Sequence, residues 1–282
     1  MKEKILSRVF KRKEDRWPVA IFLSFSAIDF LVYFFVESPL FLILFFILMI
    51  IPHLIVSVWN HHHSHYFTFK QSYLNRILEF FYALQSGVST YGWVLHHNLG
   101  HHHHFLDQTK DQSGWTRKDG TTMGRYEYGF VVFITSYYRA IKNGKNYAKP
   151  LPVLLKYAAI TFGIVGVLIW YKPLAGFMVF FLPMCLSLFL TALLTYEHHA
   201  GLHTDNPYEG CYNVLNPWFN FFSGNLGYHT AHHLKQGVHW ADLPQLHEEI
   251  KHRIPEHLYI NNFLGFELPK FGKEFPDATV LQ

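Results

Sequence analysis

Residues 39–65 read PLFLILFFILMIIPHLIVSVWNHHHSH, an apolar run that continues directly into a cluster of histidines. The apolar part, from Pro39 to about Trp59, has close to the roughly 20 residues with which a helix crosses the hydrocarbon core of a bilayer. A run of about 10–14 residues would instead suit a buried helix of a soluble domain. The stretch therefore predicts a transmembrane helix that carries the string NHHHSH at one end.

Three further apolar runs have a similar length and composition. One precedes the quoted stretch and is separated from it by Glu37 and Ser38 alone, and two follow the middle of the chain. The four predicted spans are residues 18–36, 39–59, 151–170 and 173–196. Apolar residues gathered in long runs, rather than scattered at a helix or strand period, disfavour a soluble domain. We therefore expect an all-α integral membrane protein with two transmembrane hairpins.

Basic residues are distributed unevenly around these runs. Seven Lys and Arg residues lie within the first 16 positions, and nearly all the others lie between the hairpins or after the second one. The two short outer turns hold one basic residue, Lys172. Because positively charged segments stay on the cytoplasmic side of a membrane, we expect a multi-pass protein with both termini and the middle segment in the cytoplasm. The formal net charge of +4 is too small to predict nucleic-acid binding.

The segment between the hairpins, residues 61–150, is mixed in character. The stretch 77–94 is apolar but broken by polar residues, and the stretch 126–141 is aromatic and flanked by charges. Both suit helices that lie in the membrane interface. A polar, glycine-containing loop covers residues 107–124. Since the chain shows no repeat and no long low-complexity tract, we expect a single domain over residues 1–282.

Histidine is the outlier of the composition, with 21 residues against 20 for Asp and Glu combined. The histidines are gathered in four clusters, at residues 61–65, 96–104, 198–203 and 229–233. Under the predicted topology every cluster falls on the cytoplasmic face, at or near a membrane boundary. Clusters distributed at random would not share one side, so the sequence predicts a histidine-rich cytoplasmic cap.

The spacing within the clusters is typical of metal ligands. Histidines three or four residues apart place neighbouring imidazoles on one side of a helix. The spaced sets are His61 and His65; His97, His101 and His102; and His229, His232 and His233. With a histidine after the fourth span they supply nine nitrogens, whereas one zinc ion takes about four ligands. Imidazole binds iron, copper, nickel and zinc alike, but the number of ligands indicates two metal ions.

A histidine-rich metal transporter or sensor is the alternative from a different functional class. A transport path places polar or ionisable residues near the middle of several spans. The predicted spans contain little of this kind beyond Asp29 and His53, which disfavours transport. A single histidine string could be a metal-scavenging tract, but four clusters at ligand spacing indicate a built metal centre.

The clusters resemble the three histidine boxes of membrane fatty-acid desaturases and alkane hydroxylases. The matching strings are HHHSH in box one (residues 61–65), HNLGHH in box two (residues 97–102) and HTAHH in box three (residues 229–233). The string HAGL, from His199, is similar to the extra-histidine motif of bacterial alkane monooxygenases. The resemblance covers residues 60–246 and extends through NLGYHTAHHLKQGVHWADLPQLH, which resembles the third-box region of acyl desaturases.

This resemblance implies a compact helical bundle whose cytoplasmic cap holds two iron ions. It implies nine iron ligands: His61, His65, His97, His101, His102, His199, His229, His232 and His233. It also implies an O2-dependent oxidoreductase that attacks a lipid hydrocarbon chain, either as a fatty-acyl desaturase or as a hydroxylase of an alkyl chain. One departure is Thr195, four residues before His199, where such proteins often carry an asparagine. Asn225, four residues before His229, is a candidate substitute.

The expected partners follow from this chemistry. Removing hydrogen from an unactivated methylene is beyond any amino-acid side chain, so a metal cofactor must supply it, with O2 as co-substrate. Two cysteines, Cys185 and Cys211, are too few for an iron–sulfur cluster or a disulfide framework. We therefore expect an external electron donor of ferredoxin, rubredoxin or cytochrome type, besides membrane lipids and the lipid substrate. Candidates to orient the imidazoles are Asp107, Glu197, Asp205 and Asp242.

Overall fold

The computed structural model describes residues 2–260 and is mostly helical. Its α-helices are α1 (Lys2–Val9), α2 (Arg16–Phe35), α3 (Pro39–His65), α4 (Ser72–Ser86), α5 (Thr90–Trp93), α6 (Arg125–Gly144), α7 (Pro150–Tyr171), α8 (Pro173–Gly176), α9 (Leu182–His199), α10 (Pro217–Ser223), α11 (His229–Leu234) and α12 (Leu243–Ile250). Two short strands, β1 (Asn213–Val214) and β2 (Tyr259–Ile260), pair in parallel. Two π-helical segments cover Val94–Asn98 and Phe177–Phe181. The chain ends, and with them the outer limits of the predicted domain, lie outside the described residues.

Four helical segments are long and apolar enough to cross a membrane. They cover Lys13–Phe35, Pro39–His65, Pro150–Tyr171 and Pro173–His199. The prediction of an all-α fold with four such helices is thus confirmed. The second and fourth segments extend past their predicted ends, at residues 59 and 196, and include the histidines that follow.

The beginning of α3 follows from its local sequence. The Ser38 side chain accepts a hydrogen bond from the Phe41 amide at 3.4 Å, and Pro39 occupies the first helical position, where no amide proton is needed. Pro52 lies inside the helix without ending it, and the helix continues to His65. Helical geometry therefore extends through box one.

The chain divides into two compact units. Unit 1 comprises Met1–Leu95 and Ile141–Thr191, and unit 2 comprises His96–Ala140 and Ala192–Gln282. The prediction of a single domain stays a prediction, because compactness does not show whether either unit folds independently.

Unit 1 contains an apolar core between its long helices. Tyr33, Phe45 and Phe180 are buried in it, and the Tyr33 hydroxyl donates to the Leu168 carbonyl at 2.8 Å. Its outer surface is also apolar: Phe35 is 79% exposed and Trp170 is 82% exposed. Exposed apolar patches of this kind indicate contact with another apolar phase, and on helices of this length that phase is the bilayer.

The stretch 77–94, predicted as one interfacial helix, is interrupted after α4. Gly87 has φ +72°, in the left-handed region, and its amide caps the helix by bonding to the Ala83 carbonyl. The Asn60 side chain then fixes the turn, since its amide donates to the Val88 carbonyl at 2.7 Å and its oxygen accepts from Thr90 at 2.6 Å. The other predicted helix, 126–141, corresponds to α6; the interfacial location of both stays a prediction.

Unit 2 contains two smaller apolar clusters. Trp115, Tyr128 and Tyr196 form the larger one, which joins the loop after box two to α6 and α9. Ala231, together with Leu243 on α12, forms the other and packs α11 in place. These clusters fix the elements that carry boxes two and three.

Candidate metal centre

Box one lies in the last turn of α3, in unit 1. His61 and His65 are one helical turn apart, and their Nε2 atoms are 3.2 Å from each other. Two nitrogens that each lie about 2.1 Å from one metal ion are about 3.0–3.4 Å apart at tetrahedral or octahedral angles. The pair therefore has the separation of two ligands of one ion.

The neighbouring histidines of box one have other contacts. His63 Nδ1 lies 2.9 Å from the Thr68 hydroxyl, and its Nε2 lies 3.5 Å from the buried carboxylate of Glu79. His62 packs its ring edge-on to Trp59. The i, i+4 spacing thus separates the His61–His65 pair from the other histidines of the string.

Box two is not an α-helix. His97 lies in the π-helical segment Val94–Asn98, and its carbonyl accepts from the amides of both His101 and His102, at 2.9 and 2.8 Å. The bond from residue i+5 widens the turn, so His97 and His102 face the same side. Their Nε2 atoms are 3.0 Å apart.

Box three adds a third imidazole on this side. Helix α11 begins at His229, and the Nε2 atom of His232 lies 3.0 Å from that of His102. Within unit 2, His97, His102 and His232 each offer a donor atom within 4.8 Å of the others. We call these three residues the first donor group.

A second donor group comprises His199, Cys211, His229 and His233, whose donor atoms also lie within 4.8 Å of one another. All four side chains are buried. The Nε2 atoms of His199 and His229 are 3.0 Å apart, and His101 Nε2 lies 3.1 Å from His199 Nε2. His101 therefore adjoins this group, and every predicted ligand of unit 2 lies in or next to one of the two groups.

Two contacts orient the imidazoles of this region. His101 Nδ1 lies 2.9 Å from both carboxylate oxygens of the buried Asp111. His199 Nδ1 donates to the Gly210 carbonyl at 2.9 Å. When Nδ1 carries the proton in this way, Nε2 is left with its lone pair directed at the group, which is the arrangement of a metal-binding histidine.

Burial keeps the second donor group neutral. The pKa values of His229 and His233 are lowered well below the ordinary value, first by loss of solvation and then by the neighbouring imidazoles. Neutral imidazole is the form that binds metal, because a protonated ring has no lone pair to donate. The imidazoles of the group therefore do not have to lose protons before they bind a cation at neutral pH.

The residues fit a metal ion. No described residue hydrogen-bonds to either ring nitrogen of His233 or to Nδ1 of His229, and all three atoms are buried. An unsatisfied buried polar atom costs about 1–3 kcal/mol, so such atoms are normally paired. A cation among the imidazoles would bind nitrogens that hydrogen bonds leave unsatisfied.

The comparison with known families now decides the class of protein. The model of the family described as fatty acid desaturase matches residues 37–263, which is most of the chain. The chain belongs to the fatty acid desaturase family. No curated protein and no solved structure matches it significantly.

Membership of the fatty acid desaturase family sets the general activity. The chain is an oxidoreductase of the desaturase or hydroxylase type, in a metal-dependent family. The family implies a lipid substrate and a membrane context, in agreement with the four apolar helices. The matched residues include all four histidine clusters.

Sequence reasoning missed three residues of this desaturase-family site. They are Asp111, Gly210 and Cys211, which contact or adjoin predicted ligands. Each lies in an irregular segment about ten residues from its partner, and in such a segment the spacing of residues along the chain does not predict which side chains meet. The carboxylates predicted to orient imidazoles lie elsewhere: Asp107 is paired with Lys110, Glu197 with Arg125, Asp205 is exposed, and Asp242 ends a 3-10 turn. Asn225, the candidate substitute for the missing asparagine, donates to the Trp240 carbonyl at 3.1 Å.

Proposed function

We propose that this protein is a fatty-acyl desaturase that uses O2 and two iron ions to introduce a double bond into a lipid hydrocarbon chain. The observation that carries the proposal is the gathering of imidazoles from box two, box three and the end of α9 into two donor groups. The family match supports the class of reaction. One donor group would suit a single metal ion, whereas two donor groups in one unit suit a pair of metal ions.

We propose as ligands the nine histidines that the sequence indicates. Two lie in unit 1 and seven in unit 2: His61, His65, His97, His101, His102, His199, His229, His232 and His233. Bound iron would supply the activation of O2 that removal of hydrogen from an unactivated carbon requires. Nitrogen pairs 3.0–3.2 Å apart support eight of these residues over the other histidines of each string, and His233 is supported by its place in the second donor group.

The protein's own part in the reaction is to hold the imidazoles and exclude water. Asp111 and the Gly210 carbonyl fix two rings by their Nδ1 atoms. Phe105 packs against His233 with ring centroids 4.4 Å apart and covers one side of the second donor group. Excluding water protects a reactive site from side reactions.

The membrane arrangement belongs to the same proposal. Both termini and all histidine clusters would lie on the cytoplasmic side, where an external ferredoxin, rubredoxin or cytochrome delivers electrons. Basic residues after box two could dock an acidic donor, since complementary charge speeds encounter. Part of this charge is engaged within unit 2: Arg117 pairs with Glu127, and Arg139 donates to the Gln112 carbonyl at 2.6 Å.

The test is expression in a host of known lipid profile, with mass spectrometry of the lipids and iron analysis of the purified protein. Two iron ions per chain and new lipids that have lost two hydrogens are expected. Lipids that have gained one oxygen would replace the desaturase by a hydroxylase of the same family. Reversible uptake of zinc or copper without any O2-dependent change in lipid would contradict the proposal and favour a transporter or sensor.

A further inference from the structure

Cys211 is the one member of the second donor group that the proposed ligand set leaves out. Its side chain is fully buried, and its sulfur lies within 4.8 Å of a donor nitrogen on each of His199, His229 and His233. The other cysteine, Cys185, lies in α9 and is half-buried. The two thiols of the chain therefore have different surroundings.

The backbone around Cys211 is fixed on both sides to elements that carry predicted ligands. The preceding Gly210 carbonyl accepts from His199 Nδ1, and the following Tyr212 amide donates to the His198 carbonyl at 2.9 Å. One residue further, the Asn213 side chain donates to the Thr230 hydroxyl at 2.8 Å and accepts from the Thr230 amide at 3.0 Å. The thiol is thus held between the end of α9 and box three.

Close packing fixes the segment from a third direction. A Cβ atom added at Gly210 would lie 2.7 Å from the Phe105 ring, a distance that ordinary packing does not allow. The same ring contacts His233. Glycine at position 210 therefore permits a close approach between this segment and the aromatic ring that covers the second donor group.

The chemistry of the group suits a cation bound by nitrogen and sulfur together. Both ring nitrogens of the buried His233 lack a hydrogen-bond partner among the described residues. Sulfur and imidazole together form common metal sites, and a thiol that reaches a bound cation loses its proton to become a thiolate ligand.

We propose that Cys211 binds the metal ion of the second donor group through its sulfur, beside His199, His229 and His233. This inference rests on the proposed metal-binding function. On binding, the sulfur donates an electron pair to the cation and the S–H proton passes to solvent, without any change in oxidation state. A thiolate donor makes the second group chemically different from the all-imidazole first group and increases its preference for softer ions.

Plain packing is the competing explanation, because a buried cysteine commonly behaves as a small apolar side chain. Packing and coordination predict different spectra. A cobalt ion bound by sulfur shows charge-transfer absorption in the near ultraviolet, and a cobalt ion bound by nitrogen alone does not show the sulfur band. X-ray absorption of the iron-loaded protein likewise separates a sulfur neighbour from nitrogen.

The experiment uses the full-length protein in detergent, loaded with cobalt or with iron. The wild type and the matched control Cys185→Ser should both show the sulfur band, and Cys211→Ser should lose it while keeping cobalt at the first group. X-ray absorption of the iron-loaded wild type should show a sulfur neighbour, which does not depend on the folding of any variant.

Three results would overturn the inference. If the wild type binds two metal ions without a sulfur signal, or if Cys211→Ser keeps that signal, Cys211 is not a ligand and the proposed function stands. If the wild type binds no metal at all, the inference and the proposed function both fail.

Discussion

His102 is the residue on which the first donor group depends most. Its Nε2 atom lies 3.0 Å from the corresponding atoms of both His97 and His232. The adjacent His103 belongs to the same HHHH string but is exposed. The string therefore contains a test residue and a control side by side.

We expect His102→Ala to lose at least about 100-fold in activity, more than loss of an outer contact costs, because it removes a ligand outright. The purified variant should hold less iron than the wild type, measured by elemental analysis. His103→Ala should keep both the iron content and the activity. Equal behaviour of the two variants would contradict the ligand assignment.

Asp111 acts one step away from the metal. Its two oxygens lie 2.9 Å from His101 Nδ1, and the residue is buried. We expect Asp111→Asn to reduce metal affinity or activity by about 10–100-fold. The neutral amide of Asn would hold the His101 ring less firmly than the carboxylate, and it carries no negative charge to balance the charge of the metal ion. Asp107→Asn is the control: this carboxylate lies on the surface, where Lys110 and Thr109 lower its pKa to about 2, and its loss should leave metal affinity unchanged.

The sequence could predict single residues only where a regular element supplies the spacing. The i, i+4 rule selected His61 and His65 within box one, and the structure gives their neighbours other contacts. It could not identify Asp111 or Cys211, because both are brought to the site by irregular segments. The path of such segments depends on tertiary packing, which no local pattern records.

At the scale of elements, the break between α4 and α5 rests on Gly87. Its backbone is in the left-handed region at φ +72°, and an added Cβ would lie 2.6 Å from the Met184 carbonyl. Both features disfavour any other residue at position 87. A non-glycine residue in the left-handed region costs about 1–3 kcal/mol of backbone strain, and the Met184 carbonyl, as a backbone group, cannot move aside as the end of a side chain can.

We expect Gly87→Ala to lower the thermal stability of the protein in detergent by several degrees. The matched control is Gly163→Ala in the middle of α7, where nothing lies within 4 Å of the added Cβ. That variant should keep or slightly raise stability, because alanine favours a helix by about 1 kcal/mol over glycine. A Gly87→Ala protein that melts with the wild type would show that the turn is not constrained.

The elements themselves were largely predictable. Length and apolar composition predict all four of the long apolar helices, because crossing a bilayer imposes a narrow range of lengths. The ends of these helices are harder to predict from the sequence. Helices α3 and α9 continue into the histidine clusters, because helical hydrogen bonds do not stop where the apolar residues do. The sequence also does not predict the π-helical turn of box two, because one extra residue in a single turn does not change the periodicity of the apolar residues detectably.

At the scale of the whole molecule, the positive-inside rule makes a prediction about orientation that the fold itself does not contain. Ser38 lies exposed in the short turn between α2 and α3, and Lys118 lies exposed in the loop after box two. If the basic segments face the cytoplasm, these two positions lie on opposite sides of the membrane. A cysteine at either position can report its side through a thiol reagent that does not cross membranes.

In a Cys185→Ser background, where the remaining Cys211 is fully buried, we expect Ser38→Cys to react with the reagent in intact cells. Lys118→Cys should react only after the membrane is opened. This pattern places the histidine clusters on the side where soluble electron donors are found, as the proposed function requires. Labelling of Lys118→Cys in intact cells would instead put the donor groups outside the cytoplasm, and a cytoplasmic ferredoxin, rubredoxin or cytochrome could then not be the source of electrons.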